Sequence, residues 1–190
     1  MATAAAEIPT YELRIDLVGS DPLIWRQVRV PQTITLGKLH RLIQVVMGWE
    51  NSHLHQFVIG DYTYSDPWFD LEETRSTHRV KLQSLVPERR SRKPFSFLYE
   101  YDFGDDWRHA VTVERRGVLE PGQPAVVCLA GDRAGPPEDC GGVWGYRRLL
   151  TALQDATHPE HALSQEWVGE DFDPARFDRA AINHMLARLR

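Results

Sequence analysis

Tyr101-Asp102-Phe103-Gly104-Asp105-Asp106-Trp107-Arg108-His109 sets Asp102, Asp105, Asp106 and His109 close together across a turn at Gly104. Three carboxylates and an imidazole at this spacing can complete a metal site or supply a general base. A plainer reading also stands. Asp and Gly suit a tight turn between two strands, where a carboxylate accepts backbone N–H bonds, and Tyr101 and Trp107 would then simply pack.

Two further clusters carry the same ambiguity. In Ser52-His53-Leu54-His55-Gln56-Phe57, a strand would point His53 and His55 to one face, about 7 Å apart along the chain. Two such imidazoles can share a divalent metal, or each can be a half-buried, hydrogen-bonded side chain. Cys128 and Cys140 flank a Gly- and Pro-rich stretch. Folding back would let them join the histidines or form a redox pair; otherwise each thiol is a small buried hydrophobe. Glycines at 131, 135, 141 and 142 lack the Lys-Ser/Thr of a phosphate-binding loop.

A basic segment follows the first strands. Arg75, Arg79, Lys81, Arg89, Arg90, Arg92 and Lys93 are opposed there only by Glu88. It reads either as a solvated loop or as a docking surface for an acidic partner or a nucleic-acid backbone. The chain contains no Gly-x-Ser-x-Gly elbow, His-Glu-x-x-His helix or Gly-x-Gly-x-x-Gly turn.

The elements that must position these residues follow from periodicity. Alternation predicts strands over 11–17 and 24–30, joined as a hairpin through Gly19-Ser20-Asp21-Pro22. Leu36, Leu39, Ile43, Val46 and Met47 predict a helix with Thr35 as N-cap and Gly48 as its stop. Strands over 53–59, 62–64, 95–103 and 108–116 follow, with a helical turn over 80–86. This is the element order of a ubiquitin-like β-grasp. After the loop 131–145, three helices are expected. The first carries Tyr146, Leu149, Leu150 and Leu153, and the second opens at Pro159 and carries Leu163 and Trp167. The third is capped by Asp178 and carries Ile182, Met185, Leu186 and Leu189.

The fold class expected is therefore α+β, a mixed sheet covered by C-terminal helices, in one domain over residues 10–190 behind a disordered tail at 1–9. A chain of 190 residues with net charge −5 has no bulk electrostatic attraction to nucleic acid or an anionic membrane. Without an apolar span or a secretory signal, a cytoplasmic protein with reduced thiols and no membrane partner is expected.

The motifs Ile24-Trp25-Arg26-Gln27-Val28, Leu39–Trp49, Ser52–Phe57, Tyr99–His109, Pro136-Pro137-Glu138-Asp139-Cys140-Gly141-Gly142 and Asp171-Phe172-Asp173-Pro174 resemble, in order, the plasmid pRiA4b ORF-3-like family. These are also known as passenger proteins of insertion elements. The resemblance implies an association with mobile genetic elements but no mechanism, because the family is functionally uncharacterised. The resolvase-like label of some members finds no support in this chain, which shows neither the nucleophilic Ser beside arginines nor a basic helix-turn-helix. Because the motifs are rich in His, Asp, Trp, Gly and Cys, the resemblance also implies that His53, His55, Asp102, Asp105, Asp106, His109 and Cys140 converge on one site.

Three functions fit. One is a binding module for a protein or small molecule, with Trp49, Tyr101, Asp102, Asp105, Asp106, Trp107 and Arg108 at its surface and Trp25 and Trp144 nearby. The second is a hydrolase-like enzyme holding a divalent metal on His53, His55, His109 and Cys140, with Asp105 or Asp106 as base. The third is a nucleic-acid accessory protein acting through Arg75–Lys93.

Overall fold

Alternation decides which face of each strand is buried. The first strand, β1 (Pro9–Leu17), turns Leu13, Ile15 and Leu17 inward and Glu12, Arg14 and Asp16 outward. The computed structural model describes residues 7–88 and 92–189. After β1 come β2 (Trp25–Pro31), helix α1 (Leu36–Met47), β3 (His55–Ile59), β4 (Tyr62–Ser65), β5 (Thr74–Ser76), β6 (Ser96–Tyr101), β7 (Trp107–Val118) and β8 (Val127–Asp132). Helices α2 (Gly142–Gln154), α3 (His161–Val168) and α4 (Arg179–Leu186) end the chain.

The strands form one eight-stranded sheet in the order β5-β4-β3-β6-β7-β1-β2-β8. The β4–β5 pair is parallel, and the other described pairings are antiparallel. The α+β class with C-terminal helices holds. The β-grasp is not confirmed: β1 lies between β2 and β7 and runs antiparallel to both. Residues 1–6 of the expected tail lie outside the described residues, and Pro9 already pairs with Val118.

Helix α1 begins and ends where its caps dictate. Thr35 accepts a bond from the Lys38 amide, and Gly48 takes the left-handed conformation (φ 82°) that closes the last turn. Its buried stripe of Leu36, Leu39, Ile43 and Val46 lies in the core, but so do His40 and Gln44. The C-terminal helices contribute less than their patterns suggest. Tyr146 and Leu149 of α2 and Leu186 of α4 are buried, whereas Leu163, Trp167 and Met185 are exposed. Helix α3 starts at His161 behind Glu160 instead of at Pro159.

Between β8 and α2 the chain crosses the end of α1 at very short range. A Cβ on Gly135 would stand 1.9 Å from the Met47 carbonyl oxygen. At Gly37, in the first turn of α1, a Cβ would make only ordinary contact, 3.7 Å from Thr77. Gly135→Ala is therefore expected to cost about 3 kcal/mol or more of unfolding free energy. Gly37→Ala should instead stabilise by about 0.5 kcal/mol through helix propensity. Urea denaturation of both variants checks the pair; equal effects would contradict the close crossing.

Candidate functional site

The β6–β7 turn is built by its aspartates. Asp102 and Asp106 both hold left-handed backbone (φ 57° and 55°), which Asp tolerates better than most residues. Asp102 Oδ1 accepts the amides of Gly104 (3.0 Å) and Asp105 (3.3 Å). Asp105 Oδ2 accepts the Gly141 amide at 3.0 Å, and Asp106 pairs with Arg108 at 2.8 Å on the surface. The turn chemistry expected of these residues is present, and it leaves Asp102 Oδ2 without a hydrogen bond among the described residues.

Tyr101, the last residue of β6, gathers the neighbouring loops. Its hydroxyl accepts the amides of Ser52 (2.9 Å) and His53 (3.3 Å) and donates to Glu138 Oε1. Glu138 Oε2 accepts the Glu50 amide at 2.9 Å, and the Trp49 indole donates to the Pro136 carbonyl at 2.8 Å. Burial first, and the bond to Glu138 second, raise the Tyr101 pKa and keep the phenol protonated. Three segments distant in sequence therefore meet at one hydroxyl. There, His53 Nε2 stands 3.1 Å from Asp139 Oδ1 and 3.7 Å from Asp102 Oδ2, without hydrogen-bond alignment to either.

Beside this junction opens a groove of about 690 Å³ between the first half of α1, residues 51–55, the turn at Asp66–Phe69 and the turn at Asp102–Gly104. Its lining includes a stacked pair of imidazoles, His40 and His55, with centroids 3.4 Å apart and planes 5° from parallel. His40 is fully engaged. Its Nδ1 meets the Tyr99 hydroxyl at 2.8 Å and its Nε2 meets Asn51 Oδ1 at 2.6 Å, while Gln44 donates to the same hydroxyl at 3.0 Å. The bonds are mutually consistent if Nε2 carries the proton. His55 differs. It is 2% exposed, and neither ring nitrogen has a hydrogen-bond partner among the described residues. Desolvation lowers the pKa of His40 to about 4 and, with the neighbouring His40, that of His55 to about 3.

The expected site residues separate into several places. Trp49, Tyr101 and Trp107 are buried, so they do not form the ligand-facing surface expected of them. Asp106 and Arg108 are exposed and paired, and Asp105 holds Gly141. His53 precedes β3 and does not sit on it, so the expected His53–His55 strand pair is absent. His109 is fully buried against Trp49 and Tyr99, and desolvation lowers its pKa to about 3. The Cys140 thiol is pushed up to about 12 by burial and by Asp105, and Cys128 is buried in β8; both are free.

The expected ligand set of His53, His55, His109 and Cys140 is therefore not assembled. Among the described residues, the group whose ligand atoms all lie within 4.8 Å of one another is His53, Asp102 and Asp139. Asp139 went unrecognised in the sequence although its Glu-Asp-Cys-Gly-Gly motif was visible, because nothing local shows where that loop lands. His40, Asn51 and Trp68 were missed for the same reason. Of the basic segment, Arg89 and Arg90 lie outside the described residues, Arg75 covers the Tyr62 ring at 3.4 Å, and Arg92 and Lys93 line a second groove with Arg115 and Arg116.

Comparison with known proteins agrees with this fold along nearly the whole chain. Residues 9–181 match the family described as Plasmid pRiA4b ORF-3-like protein. The uncharacterized protein y4hQ of Sinorhizobium fredii (strain NBRC 101917 / NGR234) is 38% identical over 181 residues, covering 93% of this chain and 90% of that protein. The crystal structure of MM3350, a protein of unknown function from Methanosarcina mazei Go1, superposes with a TM-score of 0.83 at 35% identity. That match covers 92% of this chain and 97% of the other. No helix among the described residues is long and apolar enough to cross a membrane.

The buried histidines make stability depend on pH. His40, His55 and His109 have folded pKa values of about 4, about 3 and about 3, below the ordinary 6.5, so the unfolded chain binds protons that the folded chain refuses. Their contribution is complete above pH 6.5 and is lost as pH falls towards 4. Together they should remove up to about 4 kcal/mol per pH unit in that window. Urea unfolding at pH 7, 6 and 5 checks this; equal stability at pH 7 and 5 would contradict neutral burial.

Proposed function

This chain belongs to the plasmid pRiA4b ORF-3-like family, and we propose that it is a binding module holding a small polar ligand in the groove beside His40 and His55. The observation that carries this reading is His55, a buried imidazole in the groove lining with both nitrogens unpaired. Leaving such a group unsatisfied costs about 1–3 kcal/mol, which a ligand would recover by parting the side chains that cover the ring nitrogens. Trp68, 87% exposed beside the groove, offers a flat face for stacking, and Lys38 and Arg41 add positive charge.

The same residues favour holding over proton transfer. Both nitrogens of His40 are committed to Tyr99 and Asn51. His55, with a pKa of about 3, is neutral and weakly basic at pH 7, far from the value that suits a general base. A nucleic-acid role has less support. Arg75 of the basic segment is occupied by Tyr62, and Arg115 and Arg116, which share the second groove with Arg92 and Lys93, by Glu12 and by the carbonyls of Pro87 and Glu88. An accessory role on mobile genetic elements is part of the proposal and rests on the family description.

The test is a screen of ¹⁵N-labelled full-length protein against a library of polar heteroaromatic fragments, in buffer containing chelator. Hits should shift the amides of residues 51–55 and the Trp68 indole. His55→Phe should weaken them about tenfold or more while leaving the melting temperature unchanged or higher, because an unpaired polar group is removed. Hits that map elsewhere, or that bind His55→Phe equally well, would contradict the reading.

A further inference from the structure

We propose that His53 Nε2, Asp102 Oδ2 and a carboxylate oxygen of Asp139 bind one divalent first-row transition cation, Mn²⁺ or Zn²⁺, at the edge of the groove. With metal–ligand bonds of about 2.0–2.2 Å, adjacent ligand atoms lie roughly 3.0–3.5 Å apart. The 3.1 Å and 3.7 Å separations around His53 Nε2 approach that spacing, and all three atoms fall within 4.8 Å of one another. One imidazole and two carboxylates suit a borderline cation better than a soft one, and bring two negative charges to balance its two positive charges.

Hydrogen bonding within the protein does not account for this convergence. Asp102 is only 8% exposed; its Oδ2 faces His53, has no hydrogen-bond donor among the described residues and keeps some contact with solvent. The Nε2 atom of His53 is itself buried and aligned with neither carboxylate, although Asp139 Oδ1 is 3.1 Å away. Two carboxylates brought this close repel unless positive charge lies between them, which a bound cation supplies fully and the His53 imidazole facing both can supply in part. The supports behind the ligands are those a metal site needs. Asp102 Oδ1 is held by two backbone amides. Asp139 is carried between Glu138, bonded to Tyr101, and Gly141, bonded to Asp105.

Three protein ligands leave further coordination positions open. Asp139 is 71% exposed at its side chain, and His53 and Asp102 both line the groove. Water or a donor atom of a groove ligand can take those positions. Metal binding itself does not depend on the groove being filled.

Chelator-treated full-length protein titrated with MnCl₂ and with ZnCl₂ by calorimetry tests the site. One ion per chain is expected, with affinity lowered at least tenfold by His53→Gln, Asp102→Asn and Asp139→Asn, and unchanged by Cys140→Ser. Asp102→Asn keeps the Oδ1 acceptor of the turn, and Asp139→Asn alters an exposed side chain, so the second variant carries the test if the first unfolds. Absence of binding at millimolar ion would overturn the proposal. So would binding that the Asp139 variant leaves intact, or binding that Cys140→Ser abolishes. The fragment screen in chelator reads the groove separately, so either proposal can fail alone.

Discussion

The Tyr101 hydroxyl is the contact on which the site depends. It stands at the last residue of β6, an interior strand, where it accepts two amides from residues 52 and 53 and donates to Glu138. A phenol can make three such bonds only if it stays protonated, and burial ensures that. Around that one group the loop after α1, the loop before α2 and the β6–β7 turn acquire fixed mutual positions. His53, Asp102 and Asp139 are neighbours because of it.

A second constraint is the price of burying imidazoles. His40, His55 and His109 sit among Tyr99, Trp49 and Phe57, where a charged ring would be strongly disfavoured. His40 resolves the demand through Tyr99, Gln44 and Asn51, a closed network spanning helix and sheet. His55, stacked on it, and His109, deeper in the core, receive no side-chain hydrogen bond among the described residues. A sheet position that could have held an apolar ring instead keeps an unpaired polar group at the groove. Stability alone does not favour that choice.

Features set by short-range physics were legible in the sequence. The caps of α1 at Thr35 and Gly48, the β1–β2 hairpin and the β6–β7 turn follow from local propensity and alternation. Strand β8 was not legible, because Val127–Asp132 contains Gly131, required where a Cβ would stand 2.5 Å from the Phe177 ring. The phase of His53 was also hidden. Pairing of His55 with Tyr101 starts β3 at His55 and leaves His53 in the preceding loop. Leu163 and Trp167 show the converse case, an apolar pattern without a burying partner. Of the candidate site, His53 and Asp102 were recognisable by type, but Asp139 depends on a loop placed by Tyr101 and Asp105.

The proposed cation site lies where these loops converge at the groove. A crystal structure of the protein grown with MnCl₂, with data collected for the anomalous signal of manganese, tests it most directly. The expected result is a single peak about 2.0–2.2 Å from His53 Nε2 and from carboxylate oxygens of Asp102 and Asp139. No peak there, or a peak at the thiols or on the surface carboxylates instead, would contradict the account.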